Sequence, residues 1–101
     1  MESRQIEAHL LGRCVAVALS TDEVAVDQRE ANFFMVAAVV ILSKFPTQSK
    51  ALALASQRYF AKHPTEALPP AEVLHKGWVT SLPRLRDSLC HAFQNANANP
   101  D

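Results

Sequence analysis

The longest apolar run in the chain covers residues 33–42, where no side chain is polar. The uncharged stretch around it, residues 31–43, would span only about 20 Å as a helix, against roughly 30 Å of bilayer hydrocarbon. The pattern therefore predicts a buried core helix over about residues 27–45 and no membrane span. A helix that is apolar on every side has to be surrounded by other helices, by a second subunit or by a partner.

Three other segments show the spacing of about 3.6 residues that is typical of amphipathic helices. Apolar stripes run through residues 2–19, 48–62 and 82–94, the first formed by Ile6, Leu10, Cys14 and Val17 and the last by Leu82, Leu85, Leu89 and Phe93. Ser81 fits the N-cap of the last segment, and Pro70 fits the first turn of a short additional helix. The fold class predicted is all-α, a compact bundle of four to five helices around the central apolar helix.

Two local questions stay open between residues 14 and 30. The strings CVAVAL and VAV contain alternating β-branched residues, so a β-hairpin over residues 14–26 is the alternative to the end of the first helix. The central helix has two candidate starts, because residues 20–23 and 27–30 both have the spacing of a capping box. We expect this helix to stop before Pro46, which disfavours helical geometry in the preceding residue.

The composition favours a single helical domain. Apolar residues make up 49% of the 101 residues, and two glycines are too few for the tight turns of a sandwich or barrel. We expect the domain to cover residues 1–94. Residues 95–101, NANANPD, offer no core-forming side chain and are predicted to be a frayed tail.

The sequence contains no recognisable catalytic or metal-binding motif. Its four histidines and two cysteines lack HxxxH and CxxC spacings, and neither a GxSxG motif nor a glycine-rich phosphate loop occurs. We therefore expect no enzymatic activity, no metal and no cofactor. The first ten residues lack the layout of an export signal, so the expected location is cytoplasmic, with Cys14 and Cys90 as free thiols.

The charge is zero overall but unevenly distributed. Residues 1–43 sum to −3, from three basic and six acidic side chains, and residues 44–101 sum to +3, from seven basic and four acidic ones. The helix at about 48–62 carries the residues that suggest an alternative function, a small nucleic-acid-binding regulator: Lys50, Arg58, Tyr59 and Lys62. A pI near 6.9 argues against strong affinity for phosphates.

The apolar central helix favours protein binding as the function. We predict a non-catalytic interaction module, such as a small adaptor, regulator or chaperone, that uses the part of the helix left uncovered. Phe33, Phe34 and Val40 are the predicted contact residues, together with Trp78, which is either a core residue or an interface anchor. The other helices are barely sufficient to cover the central one, so we also expect a homodimer unless a different protein occupies the same surface.

Residues 31–64 have a layout that resembles a tetratricopeptide helical hairpin. An apolar helix, MVAAVVILSKF, is followed by a short break, PTQ, and by an alanine-rich helix, SKALALASQRYFAKHP, that ends at a proline. The layout is also similar to that of small helical chaperones of secretion systems. The chain lacks a glycine where the first helix closes, and its small and aromatic positions do not register with the consensus. The resemblance implies a helical hairpin and assigns no family.

Overall fold

The computed structural model describes residues 3–79 and 81–98, with side chains for residues 6–79 and 81–96. The helices in chain order are α1 Ser3–Leu19, α2 Gln28–Ile41, α3 Pro46–Lys62, α4 Pro70–His75 and α5 Leu82–Ala98, with a 3₁₀ turn at Pro64–Glu66. No strand occurs in this part of the chain, and the predicted all-α bundle is confirmed. None of its helices is long and apolar enough to cross a membrane.

The start of α2 is decided by a complete capping box at Asp27. The Asp27 carboxylate accepts a hydrogen bond from the Glu30 backbone N–H at 2.8 Å, and the Glu30 carboxylate accepts one from the Asp27 N–H at 3.1 Å. Ser20, the other candidate, instead accepts a hydrogen bond from the Asp22 N–H in a turn after α1. The residues between α1 and Asp27 are therefore a loop.

Helix α2 ends at Ile41, before the predicted end at residue 45, because residues 42–44 form a turn in which the Lys44 and Phe45 N–H groups both bond to the Ile41 carbonyl. Two other helix boundaries also differ from the prediction. Residues 14–19 belong to α1, so the hairpin alternative is wrong. Helix α3 begins at Pro46, two residues earlier than predicted, because proline lacks only an N–H that the first turn does not use. Helix α5 continues to Ala98, past the predicted end at Gln94, and residues 99–101 of the proposed tail lie outside the described residues.

Helix α2 lies at the centre of the bundle, as predicted, and packs against all four other helices. Its Phe33, Phe34, Ala37 and Ile41 side chains are completely buried. The other helices contribute the remaining large core side chains, Leu10, Cys14, Leu52, Val73, Leu85, Leu89 and Phe93. One chain therefore covers most of the circumference of its apolar helix without a partner.

Two buried serines hold α3 against α2 in an antiparallel hairpin. The Ser49 hydroxyl donates to the Ala38 carbonyl at 2.6 Å, and the Ser56 hydroxyl donates to the Ala31 carbonyl at 2.7 Å. Serine and alanine are small, so the two backbones approach closely while both hydroxyls stay hydrogen-bonded. Apolar periodicity does not reveal these contacts, because serine counts as polar in the pattern.

Candidate interaction surfaces

The exposed apolar surface of α2 lies at its C-terminal end. Val39 is 68% exposed and Leu42, just after the helix, is 59% exposed. Phe33 and Phe34 are 0% exposed, so the prediction that they are left uncovered is wrong. Neighbouring helices of the same chain cover the N-terminal half of α2, and Val40 is half-buried against the core. The uncovered residues, Val39 and Leu42, lie further along the chain than Phe33 and Phe34 and on either side of Val40.

Val39 and Leu42 belong to a groove of about 270 Å³ between α2 and α3, which we call the α2/α3 groove. It is lined by Met35, Ala38, Val39, Leu42, Pro46, Ser49, Lys50 and Ala53. Ala38 and Ser49 are both buried and form its floor. The Ser49 hydroxyl is already hydrogen-bonded to a backbone carbonyl, so the floor presents no unsatisfied polar group to an apolar guest.

The one charged side chain among the residues that line the α2/α3 groove is basic. Lys50 is the only ionisable residue among those that line it. Lys44 is exposed in the turn that connects α2 to α3, two residues after Leu42. Neither lysine forms an ion pair with another described residue. A molecule that enters the groove therefore meets an apolar surface with a positive edge.

A second depression, of about 490 Å³, lies between the α1–α2 loop and the C-terminal half of α3. We call it the α3 cleft. It brings together three of the four residues proposed for nucleic-acid binding, Arg58, Tyr59 and Lys62. Lys50, the fourth, lies in the α2/α3 groove instead. The four residues therefore do not form one continuous basic surface.

The α3 cleft contains both signs of charge. Asp22 and Glu23 line it opposite the basic residues, and the Glu23 Oε1 atom is 3.8 Å from the Arg58 Nη1 atom. The two carboxylates offset the charges of Arg58 and Lys62. Because phosphate binding depends on several unopposed cations, this arrangement provides little attraction for nucleic acid.

Tyr59 is engaged by its neighbours at the end of the α3 cleft. Its hydroxyl donates a hydrogen bond to the Glu66 carboxylate. The centroid of its ring lies 4.5 Å from that of the His63 ring and 5.5 Å from that of the Phe60 ring. The His63 Nδ1 atom is 3.5 Å from Glu66 Oε2. The hydrogen bond to Glu66 is the main reason that the Tyr59 pKa is raised to about 12. Sequence inspection missed this cluster, although His63 and Glu66 stand three residues apart.

Trp78 lies away from both depressions. It is half-buried and packs against the hydrophobic core. The Arg29 guanidinium is 5.6 Å and the Lys76 Nζ atom 5.7 Å from the centre of its ring, within the range of cation–π attraction. Trp78 therefore contacts the core on one side and two exposed basic side chains on the other. It does not line the α2/α3 groove.

The two cysteines are free, buried thiols. Burial raises the pKa of Cys14 well above its usual value, and the nearby Glu30 carboxylate adds to the effect. Cys14 is therefore protonated and packs as a small apolar side chain. Within residues 3–79 and 81–98, no three His, Cys, Asp or Glu side chains are grouped so that they could hold a metal ion.

The layout that resembles a tetratricopeptide hairpin corresponds to the antiparallel pair α2 and α3, tied together by Ser49 and Ser56. No protein-family model, curated protein or solved structure matches the chain. Function has to be inferred from the two surface depressions and the side chains that line them.

Proposed function

We propose that this protein is a non-catalytic interaction module that binds a protein chain through the α2/α3 groove. The observation that supports this is the exposure of Val39 and Leu42, 68% and 59%, at the C-terminal end of a helix whose other apolar side chains are buried or half-buried. Covering apolar surface is favourable by about 25 cal/mol per Å². Exposed apolar surface with a polar edge is typical of protein contact sites.

The proposal changes the contact residues that the sequence indicates. Phe33, Phe34, Val40 and Trp78 all lie outside the α2/α3 groove. The first two are core residues, and their replacement would test folding rather than binding. Val39 and Leu42 take their place, because exposed side chains can be changed with little effect on the core.

Nucleic-acid binding by α3 has weaker support. Arg58 is near Glu23, Tyr59 is hydrogen-bonded to Glu66, and Lys50 lies on a different surface. A titration of binding to random duplex DNA against salt concentration separates the two hypotheses. A steep loss of affinity with salt would favour the nucleic-acid hypothesis, since counterion release makes phosphate binding salt-dependent.

The test of the proposal compares three immobilised proteins, the wild type, Val39→Asp and Leu54→Asp, for capture of proteins from an extract of the source organism. Leu54 is the matched control, because it is 43% exposed on α3 but lies outside the groove. We expect a protein retained by the wild type and Leu54→Asp to be lost by Val39→Asp. Light scattering on the same proteins shows whether a second copy is the bound chain. A monomeric wild type that captures nothing sensitive to Val39→Asp contradicts the proposal.

A further inference from the structure

The size of the α2/α3 groove indicates what kind of protein surface fits it. Eight residues line about 270 Å³ between two helices, whereas a standard protein interface involves roughly 20–30 residues on each side. A single helix that lays a few apolar side chains into a groove needs a surface of this smaller size. The groove is therefore suited to one helix rather than to the broad face of a folded subunit.

The walls and floor suit an apolar helix face. Val39 and Leu42 project from one side, and the small side chains of Ala38 and Ala53 leave space between the helices. An entering leucine or isoleucine would leave no buried polar group without a partner, because the Ser49 hydroxyl is already hydrogen-bonded. Shape and polarity thus select an apolar stripe at helical spacing.

The charge selects what flanks that stripe. Lys50 lines the groove, Lys44 is exposed in the turn at its end, and no acidic residue lines it. Acidic side chains beside the stripe of a bound helix would be attracted to these two lysines, and basic ones would be repelled. Both lysines are without an ion-pair partner among the described residues, so a bound helix has no internal salt bridge to displace.

A second copy of this chain is a poor occupant for the same reason. Two grooves placed face to face would bring two pairs of Lys44 and Lys50 to one interface without an acidic side chain from either lining. The acidic residues of α2, Asp27 and Glu30, stand at its other end and are used in the capping box. Glu30 is also paired with Arg13 at 2.7 Å. Self-association through this groove would therefore be opposed by like charges.

Building on the proposed function, we infer that the occupant of the α2/α3 groove is an amphipathic helix of a different protein, with acidic side chains flanking its apolar stripe. The apolar stripe contacts Val39 and Leu42, and the acidic flank pairs with Lys50 and Lys44. The first contact provides affinity, and the second provides selectivity and orientation.

The test uses two synthetic helical peptides of about 18 residues, a length at which an isolated helix can form. Both carry leucines at positions i, i+4 and i+7, with glutamates flanking the stripe in one and lysines in the other. Fluorescence anisotropy measures their binding to the full chain. We expect the glutamate peptide to bind at least about tenfold more tightly at low salt, and the ratio to approach one as added salt screens the charges.

Four variants assign the binding to the groove. Val39→Asp should abolish binding of both peptides, and Lys50→Glu should remove or reverse the preference for glutamate. Leu54→Asp and Lys62→Glu are the matched controls, since they make the same chemical changes on α3 outside the groove. All four positions are exposed, so the variants keep the core intact, and circular dichroism verifies that each is folded.

The outcomes separate the inference from the proposed function. Equal binding of both peptides, sensitive to Val39→Asp, overturns the acidic preference and leaves the groove as a protein-binding site. A dimer that Val39→Asp converts to monomer shows that a second copy is the occupant, which overturns the inference alone. Failure to bind either peptide overturns the inference, and it overturns the proposed function as well only if capture from the extract is also insensitive to Val39→Asp.

Discussion

The two halves of α2 differ in what covers them. Every residue from position 30 to 34 is buried, although Glu30 and Asn32 are polar. Towards the other end, Val39 is 68% exposed and Leu42 is 59% exposed, although both are apolar. The segment 30–34 is thus buried throughout although it contains two polar side chains, whereas two apolar side chains near the C-terminal end of α2 are open to water.

Polar contacts to two loops explain the difference. The Asn32 side-chain amide donates to the Glu66 carbonyl at 3.1 Å, and its oxygen accepts from the Leu68 N–H at 2.7 Å. On the other side, Arg13 donates to the Glu30 carboxylate and to the Ala25 carbonyl. The polar residues therefore hold loops across the first half of α2. Among the described residues, no side chain beside Val39 holds a loop in this way. The Ser49 hydroxyl there bonds to the Ala38 carbonyl, within the α2–α3 pair, and the Val39 side chain stays exposed.

The largest difference between the halves should appear when a core phenylalanine is truncated. Phe34→Ala should lower the free energy of unfolding by about 3–5 kcal/mol, because it leaves a cavity in a fully buried site. Leu42→Ala, the comparison in the open half, should change it by less than about 0.5 kcal/mol. Urea denaturation followed by the fluorescence of Trp78, the single tryptophan, measures both. Equal losses of unfolding free energy in the two variants would contradict the difference in burial between Phe34 and Leu42.

Removal of the Asn32 side chain tests the polar contacts directly. Asn32→Ala should lower the free energy of unfolding by about 2–3 kcal/mol, since it leaves the Leu68 N–H and the Glu66 carbonyl without their partner. Gln57→Ala, at an exposed position of α3, is the control and should have little effect. Hydrogen exchange at the Leu68 amide should accelerate in Asn32→Ala. Unchanged protection there would mean that Asn32 does not hold the loop.

Loss of the ion pair between Arg13 and Glu30 should lower the free energy of unfolding by less than loss of the Asn32 contacts, because this pair is partly open to water. The Arg13 and Glu30 side chains, 2.7 Å apart at Nε and Oε2, are 29% and 10% exposed. Arg13→Ala should lower the free energy of unfolding by roughly 2 kcal/mol, between the values for exposed and buried pairs. Arg58→Ala breaks the exposed contact with Glu23 and should cost less than about 0.5 kcal/mol. The same urea titration compares the two variants, and a larger loss of stability in Arg58→Ala than in Arg13→Ala would contradict the prediction.

The loop bonded to Asn32 also contains Glu66, whose carboxylate accepts the Tyr59 hydrogen bond. The ionisation of Tyr59 therefore reports on the position of this loop. Tyr59 is the single tyrosine, and phenolate absorbance follows its ionisation alone. We expect a midpoint near pH 12 in the wild type and one closer to the ordinary value of about 10 in Glu66→Gln. The folded state holds this proton more tightly than the unfolded state. The stabilisation is therefore complete below pH 10 and is lost as the pH rises towards 12. The same midpoint in both proteins would show that the hydrogen bond is not made.

Substitution of Val39, in the open half of α2, should have a small effect on stability. Val39→Asp should change the free energy of unfolding by less than about 1 kcal/mol, since the side chain is already in water. The same substitution should abolish peptide binding. Thermal denaturation and anisotropy on one sample check both statements. A loss of stability as large as that of Phe34→Ala would mean that Val39 is part of the core.

The sequence by itself determined the all-α class, the approximate positions of the helices and the candidate N-cap residues. Apolar spacing placed the helices within a few residues of their observed bounds, because helix formation depends on local periodicity. Asp27 and Ser81 were both identified as candidate N-caps, and the Arg84 N–H does bond to the Ser81 hydroxyl, at 3.2 Å. The central position of α2 also followed, since a run apolar on every side has to be enclosed.

Only the tertiary structure decided which part of α2 is left uncovered. Phe33 and Val39 belong to the same uninterrupted apolar run, so no local pattern distinguishes the buried residue from the exposed one. The contacts that make the difference join Asn32 to Glu66 and Leu68, which are 34 and 36 positions further along the chain. A polar residue inside an apolar helix can recruit such a distant loop by hydrogen bonding, and an aliphatic residue cannot. Beside Val39, the Ser49 hydroxyl bonds to the Ala38 carbonyl and so joins α3 to α2, and among the described residues no side chain there bonds to a loop that would cover the groove.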